Sequence, residues 1–320
     1  MKRTLGRSGL EVSALGSGCW AIGGEWNFNG KPSGWGKVDD NESIRAIQRA
    51  IDLGITFFDT ADVYGSGHSE RVLGQAVAGR RNQVVIATKF GLLFHEETRE
   101  GAGYNVSPSY IKSAVEASLK RLGTDYIDLY QLHPAVNEEQ CNAVVMTLEE
   151  LVKEGKIRFY GTAAEQPETV RIFARGEHCV SVQLQLNIFG GNEEVLALCE
   201  EHNLASICRS PLAMGLLTGK YRTPAEIGES DVRRNTPWWD YFKKGTMEEW
   251  LKKIERVRAV LTGDGRTLAQ GALGWILARG SQTIPIPGFR SIAQVEENVG
   301  ALQYGPLSAQ QMEEIRQLLG

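Results

Sequence analysis

Four ionisable side chains follow three apolar segments that have the character of buried strands. Asp59 and Tyr64 lie in FFDTADVYGSGHSE, Lys89 comes near the end of NQVVIATKF, and His133 ends YIDLYQLH. An ammonium group that is held by a carboxylate favours the phenolate form of a neighbouring tyrosine, whose pKa is otherwise about 10. The phenol could then give a proton to an oxygen atom that develops negative charge, while the imidazole donates a hydrogen bond to the same oxygen. These residue types therefore predict proton transfer to a substrate oxygen.

Each of the four residues has a simpler explanation when it is considered alone. An Asp at a strand end is more often a helix cap or an ion-pair partner. A Tyr in a loop is usually packed with its hydroxyl in water, and a Lys after a strand is usually solvated. The His precedes Pro134 and is more often a turn residue. Their occurrence together at successive strand ends favours a shared function.

A repeated alternation of helix and strand patterns is what would bring these residues together. DDNESIRAIQRAIDLG has helical apolar spacing with caps at both ends, and the strand-like ITFF follows at once. The same unit recurs when SPSYIKSAVEASLKRLG leads into YIDLYQLH, and again when LAQGALGWILARG leads into QTIPIP. With VSALGSG and NQVVIATKF included, the chain contains eight candidate strands that are separated by helices.

This alternation predicts an α/β fold of the (β/α)8 TIM barrel type. Strands that are joined by helices pair in parallel through right-handed crossovers, and eight such units in 320 residues favour a closed barrel. A doubly wound sheet is the alternative, but no GxGxxG follows the first strand. We expect one barrel domain over residues 1–320, with an N-terminal β-hairpin in KRTLGRSGLEVS and extra helices near the C-terminus, one from about Thr246 to Leu261. The predicted site then lies at the C-terminal ends of the strands.

Composition and charge narrow the class of protein further. The chain has 42% hydrophobic and 23% charged residues with a net charge of −4, which is typical of a globular protein and unfavourable for nucleic acid binding. We find neither a signal-peptide pattern nor an apolar run of membrane-span length, and we therefore expect a cytoplasmic protein that does not bind membranes. The five cysteines lack CxxC spacing and the histidines lack HxH or HExxH spacing, so we expect reduced thiols and no metal site.

Several segments resemble the aldo-keto reductases. FDTADVYGSGHSE, ATKFG, YQLH, SPLAMGLLTGKY and IPGFRSIAQVEENVGAL occur in the order that is typical of this family, and the similarity runs from the N-terminal hairpin to a helix at 308–319. The family consists of (β/α)8 enzymes that transfer hydride from NADPH to aldehydes and ketones. The resemblance implies a catalytic group of Asp59, Tyr64, Lys89 and His133 with Tyr64 as general acid, the cofactor NADPH/NADP⁺, and a small-molecule carbonyl substrate.

The resemblance also implies where the cofactor and the substrate bind. The expected cofactor contacts near the nicotinamide are Trp20, Asp59, Gln183 and Asn187. Those in and after the loop that follows strand seven are Ser210, Pro211, Leu212, Met214 and Lys220. Those at the adenosine end are Gly288, Arg290, Gln294, Glu297 and Asn298. The guanidinium fork of Arg290 near a helix start matches a 2′-phosphate, which favours NADPH over NADH. The candidate substrate contacts are the aromatic residues Trp20, Trp35, Phe90, Trp238 and Trp239.

The chain departs from the family pattern at two places. Where many members have a Ser-Asn pair that binds the nicotinamide carboxamide, this chain has GTAAE, and Ala163 and Ala164 cannot form those bonds. The loss would weaken cofactor binding by about 1–3 kcal/mol unless Gln183 or a water compensates. After strand seven, Arg209 occupies the cofactor-contact position where a Tyr or Trp often stacks under the nicotinamide. Because a guanidinium repels the cationic oxidised ring, we hypothesise that Arg209 favours the reduced cofactor and so carbonyl reduction.

Two other functions remain open on the sequence. A regulatory subunit that binds NADPH with little turnover would keep the same pocket. A barrel isomerase or lyase would use Lys89 as a Schiff base, which requires a desolvated lysine without an acid partner, and Asp59 speaks against this.

Overall fold

The computed structural model describes residues 1–228, 231–235 and 239–320. Its strands are β1 (Lys2–Thr4), β2 (Glu11–Ser13), β3 (Ser17–Gly18), β4 (Asn27–Phe28), β5 (Lys31–Pro32), β6 (Phe57–Asp59), β7 (Val85–Phe90), β8 (Leu92–His95), β9 (Glu100–Tyr104), β10 (Ile127–Leu132), β11 (Ile157–Thr162), β12 (Cys179–Asn187), β13 (Gly190–Gly191), β14 (Ala205–Arg209) and β15 (Thr283–Pro285). Its helices are α1 (Asp40–Asp52), α2 (His68–Ala76), α3 (Pro108–Leu122), α4 (Glu138–Lys153), α5 (Pro167–Ala174), α6 (Glu193–Glu201), α7 (Val232–Asn235), α8 (Thr246–Leu261), α9 (Leu268–Leu277), α10 (Ile292–Tyr304) and α11 (Ala309–Leu319).

Parallel strands form the centre of the molecule. They pair in the order β3–β6–β7–β10–β11–β12–β14–β15, and a helix separates each strand from the next along the chain. Backbone hydrogen bonds join the first strand to the last: the amide of Gly16 donates to the carbonyl of Pro285 at 2.9 Å, and that of Gly18 to Pro287 at 3.0 Å. The sheet therefore closes on itself, and the predicted (β/α)8 barrel is confirmed.

The helices begin and end largely where their sequence signals lie. The side chain of Ser107 caps α3 by accepting from the amide of Tyr110, Pro108 is the first helical residue, and Gly123 follows the helix with a φ of 64°. Helix α4 begins at Glu138, well before the apolar run that starts at Ala143, because Asn137 and Gln140 form a capping box. Polar caps therefore extend this helix beyond what apolar spacing indicates.

The predicted N-terminal hairpin covers one end of the barrel. β1 and β2 pair antiparallel, and Leu5 and Val12 belong to the same buried cluster as the barrel residues Phe57 and Leu129. The guanidinium of Arg7 donates to the backbone carbonyls of Cys179, Ala174 and Gly176. The hairpin thus fixes the N-terminal end of the barrel and leaves the opposite end for the site. Within the described residues, no helix is long and apolar enough to span a membrane.

A small sheet beside the barrel has no counterpart in the sequence prediction. It has the strand order β5–β4–β9–β8 and is built from the connections that follow β3 and β7. Phe28, Leu92 and Phe94 from this sheet, and Trp26 just before β4, belong to a cluster that includes Tyr64. The small sheet therefore supports one side of the predicted site.

Candidate active site

The four predicted catalytic residues lie together at the C-terminal end of the barrel strands. Lys89 Nζ donates to Asp59 Oδ1 at 2.6 Å, to the carbonyl of Thr60 at 2.8 Å and to Tyr64 Oη at 3.3 Å. The Tyr64 and His133 ring centroids are 5.8 Å apart with the rings nearly perpendicular, at 84°. Carboxylate, ammonium, phenol and imidazole thus form one connected group.

The turn after β6 sets the position of Tyr64. Gly65 has a φ of 62°, and a Cβ on it would overlap the carbonyl oxygen of Gly23, so only glycine fits this approach. The amide of Ser69 donates to the carbonyl of Tyr64 at 3.1 Å, and the Ser69 hydroxyl donates to the carbonyl of Cys19 at 2.8 Å. The backbone of Tyr64 is therefore attached to both α2 and the segment after β3.

Two amide side chains hold the second oxygen of Asp59. Gln183 Nε2 donates to Oδ2 at 2.8 Å and Gln131 Nε2 donates to it at 3.1 Å. The amide nitrogen of Gln183, which we expected near the nicotinamide, is thus used by Asp59. Gln131 was not predicted, although a sequence signal exists: it precedes His133 by two positions, and alternate residues of a strand share a face.

Burial and the neighbouring charges set the protonation states of the group. Burial raises the pKa of Tyr64, and the charge of Lys89 lowers it by less, so the phenol stays protonated. The effect of Lys89 on this pKa has the direction predicted from the sequence, whereas the larger effect of burial was not predicted. Burial lowers the pKa of Lys89, but its interactions with Asp59 and Tyr64 together outweigh burial, so the pKa is raised and the ammonium stays charged. Burial, followed by the charges of Lys89 and Arg209, holds the pKa of His133 well below its ordinary value. Its imidazole is therefore neutral, and its buried Nδ1 has no hydrogen-bond partner among the residues that the structure describes.

Aromatic side chains surround the phenol of Tyr64. Trp20 stacks on Tyr64 with ring centroids 6.0 Å apart, meets Trp35 edge-on at 5.4 Å and lies 6.1 Å from Trp239. These three tryptophans, which we call the aromatic wall, were all predicted as substrate contacts. Trp238 lies outside the described residues.

Phe90 does not line this wall, contrary to the expectation from the sequence. It is fully buried and stacks on Tyr130 with ring centroids 4.5 Å apart. The physical reason is the alternation of side chains along β7: because Lys89 points into the barrel, its neighbour Phe90 points to the layer between the barrel and the helices.

The loop after β14 has an unusual backbone. Ser210, Ala213 and Met214 have φ values of 52°, 47° and 56°, in a region that residues other than glycine seldom occupy. Asn187 Nδ2 donates to the carbonyl of Ser210 at 3.1 Å and so holds the loop to β12. Within the loop, Pro211, Leu212 and Met214 are buried, and Lys220, which follows the loop, is exposed. Such strain is found most often in loops that bind ligands.

The predicted adenosine-binding residues lie around the start of α10. The guanidinium of Arg290 donates to the carbonyl of Trp35 at 3.1 Å and to that of Lys37, and its backbone amide donates to Gln294 Oε1 at 2.7 Å. Asn298 is buried and its amide donates to the carbonyl of Gly288 at 3.3 Å. The carbonyl of Glu297 accepts from Gln270 at 3.1 Å. Arg290 therefore joins this segment to the aromatic wall, and within the described part of the chain these two bonds leave other guanidinium N–H donors unused.

A second ion pair lies at the same end of the barrel. Arg209 Nη2 donates to Glu165 Oε1 at 2.5 Å, and the Arg209 guanidinium carbon lies 6.0 Å from the Trp239 ring centroid. Glu165 directly follows Ala163 and Ala164. The methyl side chains of these two alanines cannot form the hydrogen bonds that a Ser-Asn pair would form with a nicotinamide carboxamide. Glu165 was not predicted as a site residue, and no local sequence pattern pairs it with Arg209, because Glu165 follows β11 whereas Arg209 ends β14. Within the parts of the chain that the structure describes, no cluster of His, Cys, Asp and Glu could hold a metal ion.

Comparison with known proteins gives the family. The model of the Aldo/keto reductase family matches residues 14–319, and the chain belongs to this family. A curated relative, the aldo-keto reductase yakc [NADP(+)] of Schizosaccharomyces pombe, is 34% identical over 313 residues, which are 96% of this chain and 88% of that protein.

Two solved structures are also similar. The holo form of the aldo-keto reductase AKR11C1 from Bacillus halodurans has a TM-score of 0.81 at 32% identity, over 99% of this chain and 95% of that one. The glycerol dehydrogenase AKR11B4 from Gluconobacter oxydans has a TM-score of 0.86 at 30% identity, over 99% and 94%. The resemblance that the sequence motifs gave is therefore confirmed.

Proposed function

We propose that this chain is an NADPH-dependent oxidoreductase that reduces the carbonyl group of an aldehyde or ketone to an alcohol, with Tyr64 as general acid. Family membership and a relative named for NADP(+) support the class and the cofactor. The observation that carries the assignment of roles is the connected group in which Lys89 Nζ lies 2.6 Å from Asp59 and 3.3 Å from Tyr64 Oη.

Each member of this group has a defined part in the reaction. Bound NADPH supplies the hydride. Tyr64 gives its phenolic proton to the carbonyl oxygen, and the Lys89 ammonium stabilises the phenolate that remains until a proton from solvent restores the phenol. Asp59 keeps Lys89 charged and oriented. The neutral imidazole of His133 donates a hydrogen bond to the carbonyl oxygen and fixes the substrate.

The residues around the site fit a dinucleotide that bears phosphate groups. Two positive charges lie beside the site. One is the exposed ammonium of Lys220, and the other is the guanidinium of Arg290, which has further N–H donors. Ser210, Ala213 and Met214 in the loop after β14 have left-handed backbone conformations, which anion-binding loops also use. In this proposal Arg290 pairs with the 2′-phosphate, which favours NADPH over NADH.

The substrate would bind against the aromatic wall. Tryptophan faces suit an apolar group or the apolar face of a sugar or small polyol. A glycerol dehydrogenase among the similar structures makes short hydroxylated carbonyl compounds worth including in any substrate panel.

The two alternatives predict different behaviour. An NADPH-binding regulatory subunit would bind the cofactor without turning over any carbonyl compound. A Schiff-base isomerase or lyase needs an uncharged lysine, and the 2.6 Å bond to Asp59 together with the raised pKa of Lys89 argues against it.

NADPH consumption by wild-type protein and by Tyr64→Phe, measured against aldehydes, ketones, sugars and keto-steroids, tests the proposal. We expect Tyr64→Phe to bind NADPH as wild type does and to lose turnover by roughly 10²–10⁴-fold, the usual worth of a general acid. Tyr304→Phe, at an exposed tyrosine away from the site, is the matched control and should be unchanged. Equal turnover in Tyr64→Phe would remove Tyr64 from the mechanism, and NADPH binding without any turnover by wild type would favour the regulatory subunit.

A further inference from the structure

We propose that Glu165 is a positioning residue that holds Arg209 in an ion pair and thereby limits how strongly the site prefers NADPH to NADP⁺. The inference rests on the proposed function, because Glu165 would adjust the affinity of the proposed active site for its cofactor. It modifies the expectation from the sequence, in which Arg209 favours the reduced cofactor and Glu165 has no part.

The position of the Glu165 carboxylate is fixed by the strand beside it. Oε1 accepts from Arg209 Nη2 at 2.5 Å and from the backbone amide of Gln185 at 2.9 Å. The side chain of Gln185 in turn accepts from Trp239 Nε1 at 2.6 Å and lies 3.5 Å from Arg209 Nη1. A carboxylate that is attached to a strand backbone holds the guanidinium in place better than a mobile surface partner would.

The pair is close enough to the reacting groups for its charge to act on them. Arg209 ends β14, and Trp239 connects it to Trp20, which stacks on Tyr64. Burial is the main cause of the low pKa of His133, and the charges of Lys89 and Arg209 lower that pKa further. A nicotinamide that reduces a carbonyl next to Tyr64 must lie beside these groups, and therefore within range of Arg209.

The two forms of the cofactor differ in charge at the ring that lies there. The reduced ring is neutral and the oxidised ring carries one positive charge, so a lone guanidinium repels the oxidised form alone. The Glu165 carboxylate offsets this repulsion. The ion pair as a whole therefore lets the site bind NADP⁺ with an affinity nearer to that for NADPH than Arg209 alone would.

Cofactor affinities in charge-removing variants test this arrangement. The dissociation constants of NADPH and NADP⁺ are measured separately through quenching of tryptophan fluorescence, for Glu165→Gln, Arg209→Met and the double variant. We expect the ratio Kd(NADP⁺)/Kd(NADPH) to rise about three- to tenfold in Glu165→Gln and to fall by a similar factor in Arg209→Met, since the pair is partly exposed and water screens it. The double variant should return to within about twofold of wild type, because it restores a neutral pair.

Controls separate charge from structure. Glu168→Gln removes an exposed carboxylate in the same segment and should leave the ratio unchanged, and Glu165→Asp should do so because the charge remains. A Glu165→Gln variant that binds both forms with an unchanged ratio, or weakens both equally, overturns the inference. Should that variant not fold, an unchanged ratio in Arg209→Met overturns it as well. Failure of wild-type protein to bind either dinucleotide would instead contradict the proposed function.

Discussion

Two ion pairs at the same end of the barrel differ in their surroundings. The side chains of Lys89 and Asp59 are 0% and 3% exposed, whereas those of Arg209 and Glu165 are 35% and 22% exposed. A buried charge that loses its partner is strongly destabilising, but a partly exposed one is screened by water. The buried pair is therefore suited to fixing the geometry of a reaction, and the exposed pair to adjusting the affinity for a charged ligand.

Strand β12 supports both pairs. Gln183 donates to Asp59 of the buried pair, and Gln185 binds Glu165 through its backbone and Trp239 through its side chain. Side chains two apart in a strand lie on the same face, so Gln183 reaches Asp59 of the buried pair and Gln185 lies beside Arg209 of the other pair. This arrangement provides matched positions at which the comparison can be tested.

Removal of the buried ammonium should have the largest effect. In Lys89→Met the Asp59 carboxylate remains buried without its ion-pair partner, so we expect the free energy of unfolding to fall by about 3–5 kcal/mol. Turnover should fall by at least roughly 100-fold, because no charge stabilises the Tyr64 phenolate. Chemical denaturation and NADPH consumption measure the two losses.

The origin of that instability can be checked with a second substitution. Adding Asp59→Asn to Lys89→Met removes the isolated charge and should restore much of the stability, but not the turnover. Lys120→Met, at an exposed lysine of α3, should change stability by no more than about 0.5 kcal/mol. A single Lys89→Met variant as stable as wild type would contradict the buried ion pair.

Substitution of the two glutamines of β12 should lower the free energy of unfolding by different amounts, and this effect should be smaller than that of Lys89→Met. Gln183→Leu removes a donor from a buried carboxylate and should cost about 1–3 kcal/mol of unfolding free energy. Gln185→Leu disturbs partly exposed groups and should cost about 0–1 kcal/mol. Parallel urea denaturation of both variants gives the comparison, and a larger cost for Gln185→Leu would contradict it.

The pH dependence of carbonyl reduction should show the smallest effect. Tyr64 must be protonated, so activity is lost as the pH rises through its pKa, which burial raises above the ordinary value. His133 is neutral above its own pKa, which burial places well below the ordinary value, so its titration affects only the acid side. We therefore expect kcat/KM to vary by less than about twofold between roughly pH 6.5 and 9.

Removal of Arg209 from the partly exposed pair should shift the pH profile of kcat/KM slightly. Arg209→Met removes a charge that lowers the pKa of His133, and so should move the acid limb to higher pH. Rate measurements at constant ionic strength follow both proteins. A wild-type midpoint near pH 6.5 would contradict a buried, neutral His133.

The sequence predicted those parts of the molecule that depend on local patterns and strand order. Helical apolar spacing and helix caps predicted the alternation of helices and strands, and hence the barrel. The common direction of the barrel strands predicted that Asp59, Tyr64, Lys89 and His133 lie close together. That residues 1–320 form a single domain remains a prediction. The catalytic and binding roles of the site residues also remain predictions, to be tested by the variants above.

Contacts between distant segments were beyond the sequence analysis. The pairing of Glu165 with Arg209 depends on how two strand ends face each other in the closed barrel. The burial of Phe90 depends on which face of β7 points inward, and a fully apolar strand does not show this. The small sheet consists of short strands such as β4, whose two residues are too few to carry an alternating pattern.

The small sheet links two connections that a barrel would otherwise carry independently. β4 follows the first barrel strand and β9 follows the third, yet Asn27 pairs with Glu100 and Phe28 with Gly101 in a parallel ladder. An insertion or deletion in one connection would therefore break the hydrogen bonds that join it to the other. Among descendants of this chain, the two connections are expected to change length together, and a chimera that exchanges only one of them would lose the ladder.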